Sequence, residues 1–169
     1  MTIKHYLPGL LVTLLLASTA YLWLSPGAIR AAPDVRSRTL DGDDFRLSNL
    51  RGRPVLVTFW ATTCGGCLEE MPQLIELYKE LAPEGLEIVG VAMSYDPPNR
   101  VVTMRQARNI PYPLVLDING DLARTFGDVR QTPTSFLIAP DGTIAAHRTG
   151  GMDMVELRDR ILEMVRGEG

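Results

Sequence analysis

The stretch VLVTFWATTCGGCLEEMP, residues 55–72, decides the fold of this chain. Its first segment, Val55–Trp60, consists mainly of β-branched, aromatic and other apolar residues, a composition typical of a buried strand. Residues 64–81 then place apolar side chains at the spacing of a helix. Both cysteines of the chain, Cys64 and Cys67, therefore lie where a predicted strand passes into a predicted helix.

Three kinds of site could use these cysteines, and a redox pair fits the sequence best. A zinc site needs two further ligands, but the only histidines are His5, near the N-terminus, and His147. A structural disulfide across two residues would close almost no loop and would stabilise little. At a helix N-terminus, by contrast, unpaired amides and the helix dipole favour the thiolate of Cys64. Cys67, one turn later, can then attack a mixed disulfide that Cys64 forms.

Two adjacent glutamates follow the cysteines, and a helical wheel predicts different environments for them. At about 100° per residue, Glu70 falls at the edge of the apolar face that contains Cys67, whereas Glu69 falls on the solvent side. Glu69 is therefore interpreted as an ordinary acid in the first turns of a helix. Glu70 is either the same or a partly buried carboxylate whose pKa is raised and which exchanges a proton with Cys67.

The N-terminal part of the chain differs from the rest. Residues 6–24 contain no charged side chain, and as a helix they would span about 28 Å, close to the thickness of a bilayer core. We predict a retained membrane anchor; the alternative is a signal peptide cleaved near residues 18–20. The predicted organisation is a tail over residues 1–5, the anchor, a linker over residues 25–33, and one domain over residues 34–169.

The predicted elements of that domain alternate between strand and helix, which favours an α/β fold with helices on both faces of a mixed sheet. The elements are a hairpin with its turn at Asp41-Gly42; strands at 55–60, 86–93, 114–117, 134–139 and 143–148; and helices at 64–81, 99–109 (capped by Asn99), 121–126, and from the Asp153 cap to about Gly167.

A net charge of −3 and the lack of a basic stripe argue against nucleic acid as a partner.

Residues 59–72, FWATTCGGCLEEMP, resemble the F-W-A-[ST]-W-C-x-P-C-x-x-E-[MF]-P signature of the TlpA/ResA-like thiol:disulfide oxidoreductases of the thioredoxin superfamily. The similarity covers nearly the whole domain. It includes LDGDDFRLSNLRGRPVLVTFWA at 40–61, an insert around 94–113, and TFGDVRQTPTSFLIAPDGTI at 125–144. It implies a thioredoxin-like fold with an N-terminal β-hairpin and a central insert.

The resemblance also implies roles for particular residues. Cys64 corresponds to the nucleophile, Cys67 to the resolving cysteine with which it forms the redox disulfide, and Glu70 to the active-site glutamate. Pro133 corresponds to the cis-proline of the superfamily, and the backbone at Thr132 would hold an extended substrate strand. No metal or other cofactor is implied.

Trp60 matches the signature tryptophan, where it either contacts substrate or only packs in the core. Two positions depart from the signature: Thr63 replaces the tryptophan before the first cysteine, and Gly66 replaces the proline before the second. The first change removes an apolar rim, and Gly65-Gly66 makes the turn more flexible. On this motif alone, reduction and oxidation of substrates both stay open.

The resemblance favours, as the leading functional hypothesis, a reductase of protein disulfides that is recharged by a transmembrane thiol donor, with apocytochrome c cysteines as a candidate substrate, as for relatives. The protein would be monomeric and anchored in the bacterial inner membrane with its domain in the periplasm. A disulfide-forming oxidase is the alternative within the enzyme class. A copper chaperone that uses both thiolates and His147 is the alternative from another class. A thiol peroxidase is disfavoured, because no Pro-x-x-x-[ST]-x-x-Cys occurs.

Overall fold

The structure is a computed structural model that describes residues 31–167. The predicted membrane segment, residues 6–24, lies outside this range, as does most of the predicted linker. Among the described residues, no helix combines the length and the apolar character needed to cross a membrane.

A five-stranded mixed sheet forms the centre of the domain, with strand order β5-β4-β3-β6-β7. Strands β3, β4 and β5 run parallel to one another, whereas β6 is antiparallel to β3 and β7 is antiparallel to β6. The five strands are β3 Val55–Trp60, β4 Glu87–Ala92, β5 Leu114–Leu116, β6 Thr134–Ile138 and β7 Ile144–Thr149. The predicted mixed sheet is thereby confirmed, with each strand ending within a residue or two of its predicted bounds.

Within residues 31–167, four helices flank the sheet: α1 Gly65–Leu81, α2 Pro98–Arg108, α3 Asp121–Thr125 and α4 Met154–Arg166. The predicted hairpin precedes the sheet as β1 Arg36–Arg38 and β2 Asp44–Arg46, and a short 3₁₀ helix, Leu47–Leu50, follows it. The segment around 94–113, which the resemblance marked as an insert, contains α2 and joins β4 to its parallel neighbour β5.

Two apolar cores lie on opposite faces of the sheet, because side chains alternate between the faces along each strand. One core joins the sheet to α1, α2 and α4; its most buried members are Leu56, Ile88, Leu114, Leu137, Val101 and Ile161. The other joins it to α3, the hairpin and the 3₁₀ helix, and includes Val57, Phe59, Val89, Val91, Phe126 and Phe136. The prediction of helices on both faces is confirmed.

The helix ends are mostly set by residues that the sequence identifies. Asp153 caps α4 by accepting hydrogen bonds from the Val155 and Glu156 amides, and Gly167 ends that helix, as predicted. The predicted cap of α2 is wrong, since the helix already begins at Pro98 and Asn99 lies in its first turn. Proline suits this position because the first amides of a helix need no intrahelical acceptor.

The strand directions bring three connections to one edge of the sheet. Trp60 of β3 pairs with Ala92 at the end of β4, and Phe59 pairs with Thr134 at the start of β6. The loop before α1, the loop after β4 and the loop before β6 therefore meet at the same edge. The chain enters the domain at the opposite edge, where Ala31 pairs with Thr143 beside the β6–β7 turn.

Candidate active site

The two cysteines form a disulfide at the start of α1, with an S–S distance of 2.07 Å. Cys64 is the N-cap residue of the helix, and its Sγ accepts a hydrogen bond from the Cys67 amide at 3.2 Å. The first sulfur therefore lies among the free amides of a helix N-terminus, where negative charge is favoured. This confirms the predicted position of the pair at a strand-to-helix junction.

The two cysteine residues differ in their exposure to solvent. Cys67 is 4% exposed and belongs to the core beneath α1, whereas Cys64 is partly exposed at the domain surface. An incoming disulfide can therefore approach Cys64 more easily than Cys67. This difference is what the assignment of Cys64 as nucleophile and Cys67 as resolving cysteine requires.

Glu70 lies one turn after Cys67 and is 6% exposed, while its neighbour Glu69 is exposed to solvent. Burial raises the pKa of Glu70, and a hydrogen bond that its Oε1 accepts from the Met152 amide at 2.9 Å opposes part of that rise. The helical wheel correctly predicted that only one of the two glutamates is buried. A carboxylate with a raised pKa is a better proton acceptor than an ordinary exposed one, which suits it to proton transfer.

Tyr112 lies close enough to Glu70 for the two groups to affect each other. Burial of the phenol and the negative charge of Glu70 both raise the pKa of Tyr112, so that it stays protonated. Its ring also packs edge-on against Tyr78, with 5.9 Å between the ring centroids. The sequence reading did not identify Tyr112, which lies in the connection between α2 and β5.

The Thr132–Pro133 segment lies directly against the turn between the cysteines. The Thr132–Pro133 peptide bond is cis, as the resemblance implied. A Cβ atom placed on Gly66 would lie 3.6 Å from Pro133 Cδ, so the proline ring lies close to the Gly66 backbone. The Pro133 carbonyl accepts a hydrogen bond from the Gly150 amide at 2.8 Å, which ties this segment to the loop that also carries Met152.

Asp96 is a buried carboxylate at this edge that the sequence reading missed. Its two oxygens accept hydrogen bonds from the amide and the hydroxyl of Thr62, each at 2.6 Å. Thr62 lies two residues before Cys64, so the loop after β4 is attached to the loop that carries the nucleophile. The sequence could have indicated Asp96, because residues that follow neighbouring parallel strands meet at one edge of a sheet. Thr62 follows β3, and Asp96 follows β4.

Trp60 lies in the core, and its placement favours packing over substrate contact. The residue is 4% exposed, and its indole N–H has no hydrogen-bond acceptor among the described residues. A Cβ atom on Gly90 would lie 3.2 Å from Trp60 Nε1 and 3.4 Å from Tyr112 Cε2. The absence of a side chain at Gly90 therefore makes room for both rings.

His147 lies on the other side of the sheet from the cysteine pair. It pairs across the strands with Phe136, and the two rings stack with 4.3 Å between their centroids. Phe136 belongs to the core opposite the one that contains Cys67. Over residues 31–167 no group of three or more potential metal ligands converges, so the third ligand of the copper hypothesis is not beside the thiols.

Comparisons with known proteins identify the family to which the chain belongs. Residues 29–147 match the AhpC/TSA family. The chain is 32% identical over 130 residues to the thiol-disulfide oxidoreductase ResA of Geobacillus thermodenitrificans, covering 77% of this chain and 74% of that protein. It is 31% identical over 137 residues to ResA of Bacillus subtilis, covering 81% of this chain and 75% of that protein. The chain belongs to the ResA-like thiol-disulfide oxidoreductases.

A solved structure supports the same assignment for the fold. The ResA-like domain superposes on a thiol:disulfide interchange protein of the thioredoxin family from Chlorobium tepidum with a TM-score of 0.75. The two are 25% identical, and the match covers 83% of this chain and 99% of that one. The predicted thioredoxin-like fold and thiol-disulfide oxidoreductase activity are therefore confirmed.

Proposed function

We propose that this ResA-like protein reduces disulfide bonds of other proteins outside the cytoplasm. The observation that carries the proposal is the arrangement at one sheet edge of an accessible Cys64, a buried Cys67 beside buried Glu70, and the Thr132–Pro133 segment. Thiol-disulfide exchange is the activity for which the relatives are named. The direction of the reaction, the roles of the residues and the place where the protein works go beyond those names.

The reaction begins with the pair reduced. The Cys64 thiolate attacks one sulfur of a substrate disulfide, so that a mixed disulfide forms and the other substrate sulfur leaves and takes a proton from solvent. Cys67 gives its proton to Glu70 and attacks the Cys64 sulfur. The second substrate sulfur leaves and receives that proton. The substrate has then gained two electrons and two protons, and the Cys64–Cys67 disulfide has formed.

Glu70 is needed because Cys67 starts from an unfavourable environment. Burial of a thiol disfavours its thiolate, so Cys67 needs a base within its own buried surroundings. Glu70 is one helical turn away, and its raised pKa brings it closer to the pKa of a thiol. The Met152 amide keeps the carboxylate in place without removing its capacity for a proton.

Thr132 supplies the main-chain contacts to substrate in this proposal. Among the described residues neither its N–H nor its C=O has a hydrogen-bond partner, and the residue is partly exposed. An extended segment of the substrate can pair with these groups as an added strand. Such pairing would hold the substrate disulfide next to Cys64 while leaving the choice of side chains open.

For its location, we propose a single-pass inner-membrane protein held by residues 6–24, with a monomeric domain in the periplasm. The support is the uncharged apolar run, long enough for a bilayer core. A transmembrane thiol donor would return the pair to its reduced form, and apocytochrome c cysteines are a proposed substrate. The alternative to the membrane anchor is a soluble periplasmic protein released by signal cleavage. Membrane sedimentation and resistance to carbonate extraction would support the anchor, whereas release of a shorter soluble form would refute it.

The central test uses the full chain, purified in detergent, with insulin as disulfide substrate and dithiothreitol as electron source. We expect the protein to accelerate insulin reduction and Cys64→Ser to abolish the acceleration. In cells, Cys67→Ser should accumulate mixed disulfides with other proteins on non-reducing gels. Accumulation on Cys64→Ser instead would reverse the proposed roles of the cysteines, and activity of Cys64→Ser with insulin would refute the site.

The direction of the reaction requires the reduction potential, since about 30 mV corresponds to only about 1.4 kcal/mol. A potential near that of thioredoxin, about −270 mV, would support a reductase. A potential near −120 mV, roughly that of a strong oxidant, would support the oxidase alternative. Copper titration of the reduced protein tests the remaining hypothesis, for which the position of His147 gives no support.

A further inference from the structure

An exposed aromatic side chain lies beside the candidate substrate site and has no role in the chemistry described so far. Tyr95 is 58% exposed, although aromatic rings are usually buried at least in large part. Its hydroxyl lies 3.4 Å from Thr132 Oγ1, a long contact that places the ring next to the segment before Pro133. Only three other large apolar side chains within residues 31–167 are exposed to a comparable degree: Val102, Ile118 and Val155.

The backbone that carries Tyr95 is fixed on both sides. The Met93 amide donates to the Trp60 carbonyl at 3.0 Å, and the Asp96 amide donates to the Met93 carbonyl at 2.9 Å. The Asp96 carboxylate in turn accepts both bonds from Thr62. Tyr95 is therefore held on a tight turn attached to the nucleophile's loop, and its exposure is not that of a long, loose connection.

The residues immediately next to Cys64 offer little apolar surface of their own. Thr63, immediately before Cys64, is polar and exposed, and the two residues after Cys64 are exposed glycines. Pro133 is buried against Gly66. A substrate segment that pairs with Thr132 would pass Tyr95, because the two side chains are in contact.

We propose that Tyr95 is a specificity-determining residue that binds an apolar side chain close to the disulfide in an extended segment of the substrate protein. This inference rests on the proposed function and adds the class of substrate that the site prefers. The ring offers a flat apolar face that costs little conformational entropy to order, while its hydroxyl remains near Thr132. Substrates with a bulky apolar residue near the cysteine gain this contact, and substrates with a small polar residue there do not.

The test compares three disulfides in single-turnover reactions with the pre-reduced full chain in detergent. One is a disulfide-linked peptide with phenylalanine two residues from its cysteine, the second is the same peptide with serine there, and the third is hydroxyethyl disulfide. Tyr95→Ala should slow reduction of the phenylalanine peptide about threefold to tenfold, the range expected for one aromatic contact. It should leave the serine peptide and hydroxyethyl disulfide nearly unchanged.

Two further variants separate the ring from other effects. Tyr95→Phe keeps the ring and removes the hydroxyl, so it should reduce the phenylalanine peptide at nearly the wild-type rate. Val155→Ala removes an even more exposed apolar side chain from α4 and should change none of the three rates. Three results would each overturn the inference. In the first, Tyr95→Ala slows reduction of all three disulfides equally; in the second, it slows none of them. In the third, Tyr95→Phe shows a defect as large as that of Tyr95→Ala. Failure of the wild type with every disulfide would instead refute the proposed function.

Discussion

Replacing Glu70 with glutamine tests directly whether this carboxylate is the base for Cys67. Glu70 is buried one turn from Cys67, and its pKa is raised by burial and partly lowered again by the Met152 amide. Glutamine has nearly the same shape and can still accept the Met152 hydrogen bond, but it cannot take up a proton. The substitution therefore removes the proposed proton transfer while it keeps the packing.

The expected loss can be estimated from the balance of these effects. A positioned general base typically contributes about 10²–10⁴-fold to a rate that proton transfer limits. Because the Met152 hydrogen bond favours the charged form and so weakens Glu70 as a base, we expect the lower end of this range. Glu70→Gln should slow the attack of Cys67 on the mixed disulfide about 100-fold near neutral pH, roughly 2.7 kcal/mol in activation free energy.

The assay follows the mixed disulfide by acid quench after the reduced protein meets a peptide disulfide, from about pH 6 to about pH 9. The defect should shrink in alkaline solution, where hydroxide deprotonates Cys67. Glu69→Gln is the matched control, because Glu69 is the adjacent acid on the same helix but is exposed. Wild-type rates for Glu70→Gln over the whole range would make Glu70 an ordinary helix acid. Equal losses in both variants would indicate a general effect of helix charge.

The same variant has an expected effect on stability whose sign follows from the raised pKa. The folded state holds the Glu70 proton more tightly than the unfolded state, for which the reference pKa is 4.5. Stability from this group is therefore complete below that value and is lost as pH rises through the folded-state pKa. Glu70→Gln should gain in stability relative to wild type between acid and neutral pH. Denaturant midpoints that differ by a constant amount over this interval would contradict the burial argument.

Two glycine substitutions test the packing around the site by chemical denaturation. Gly66→Ala should stabilise the protein by about 0.4–1 kcal/mol, because the position is helical and the added Cβ meets Pro133 Cδ at an ordinary contact distance of 3.6 Å. A loss of stability would show that the space between Gly66 and the Pro133 ring cannot accept a methyl group. Gly90→Ala should destabilise it by about 1–3 kcal/mol, since its Cβ would lie 2.5 Å from Leu114 Cδ2 and 3.2 Å from Trp60 Nε1. An unchanged denaturation midpoint for Gly90→Ala would mean that the core is looser than described.

Local patterns in the sequence were sufficient for much of the domain. The run Val55–Trp60 became a central strand because it is buried on both faces, and the spacing of apolar residues in α1 separated buried Glu70 from exposed Glu69. The first prediction depends on composition and the second on periodicity, and in each case one stretch of chain contains the whole signal. The Asp153 cap was predictable for the same reason, since its acceptor and donors are adjacent in sequence.

The parts that escaped prediction depend on residues distant in sequence. The Met152 amide that holds Glu70 is 82 positions away, and Asp96 lies 34 positions from Thr62. No local pattern records such a pairing, because it arises only when the strands take their order in the sheet. The cis peptide before Pro133 is similar: most X-Pro bonds are trans, so only the family resemblance implied it.

The position at which the chain enters the domain has a practical consequence for work with immobilised protein. Ala31 pairs with Thr143 at the edge of the sheet opposite the one that carries Cys64. The strand Val55–Trp60 runs from one of these edges to the other and is about 20 Å long. A bead, electrode or fusion partner joined directly at Ala31 would therefore sit behind the domain and leave the cysteine pair facing solution. Attachment through α4 would be less suitable, because that helix begins two residues after Met152, the partner of Glu70.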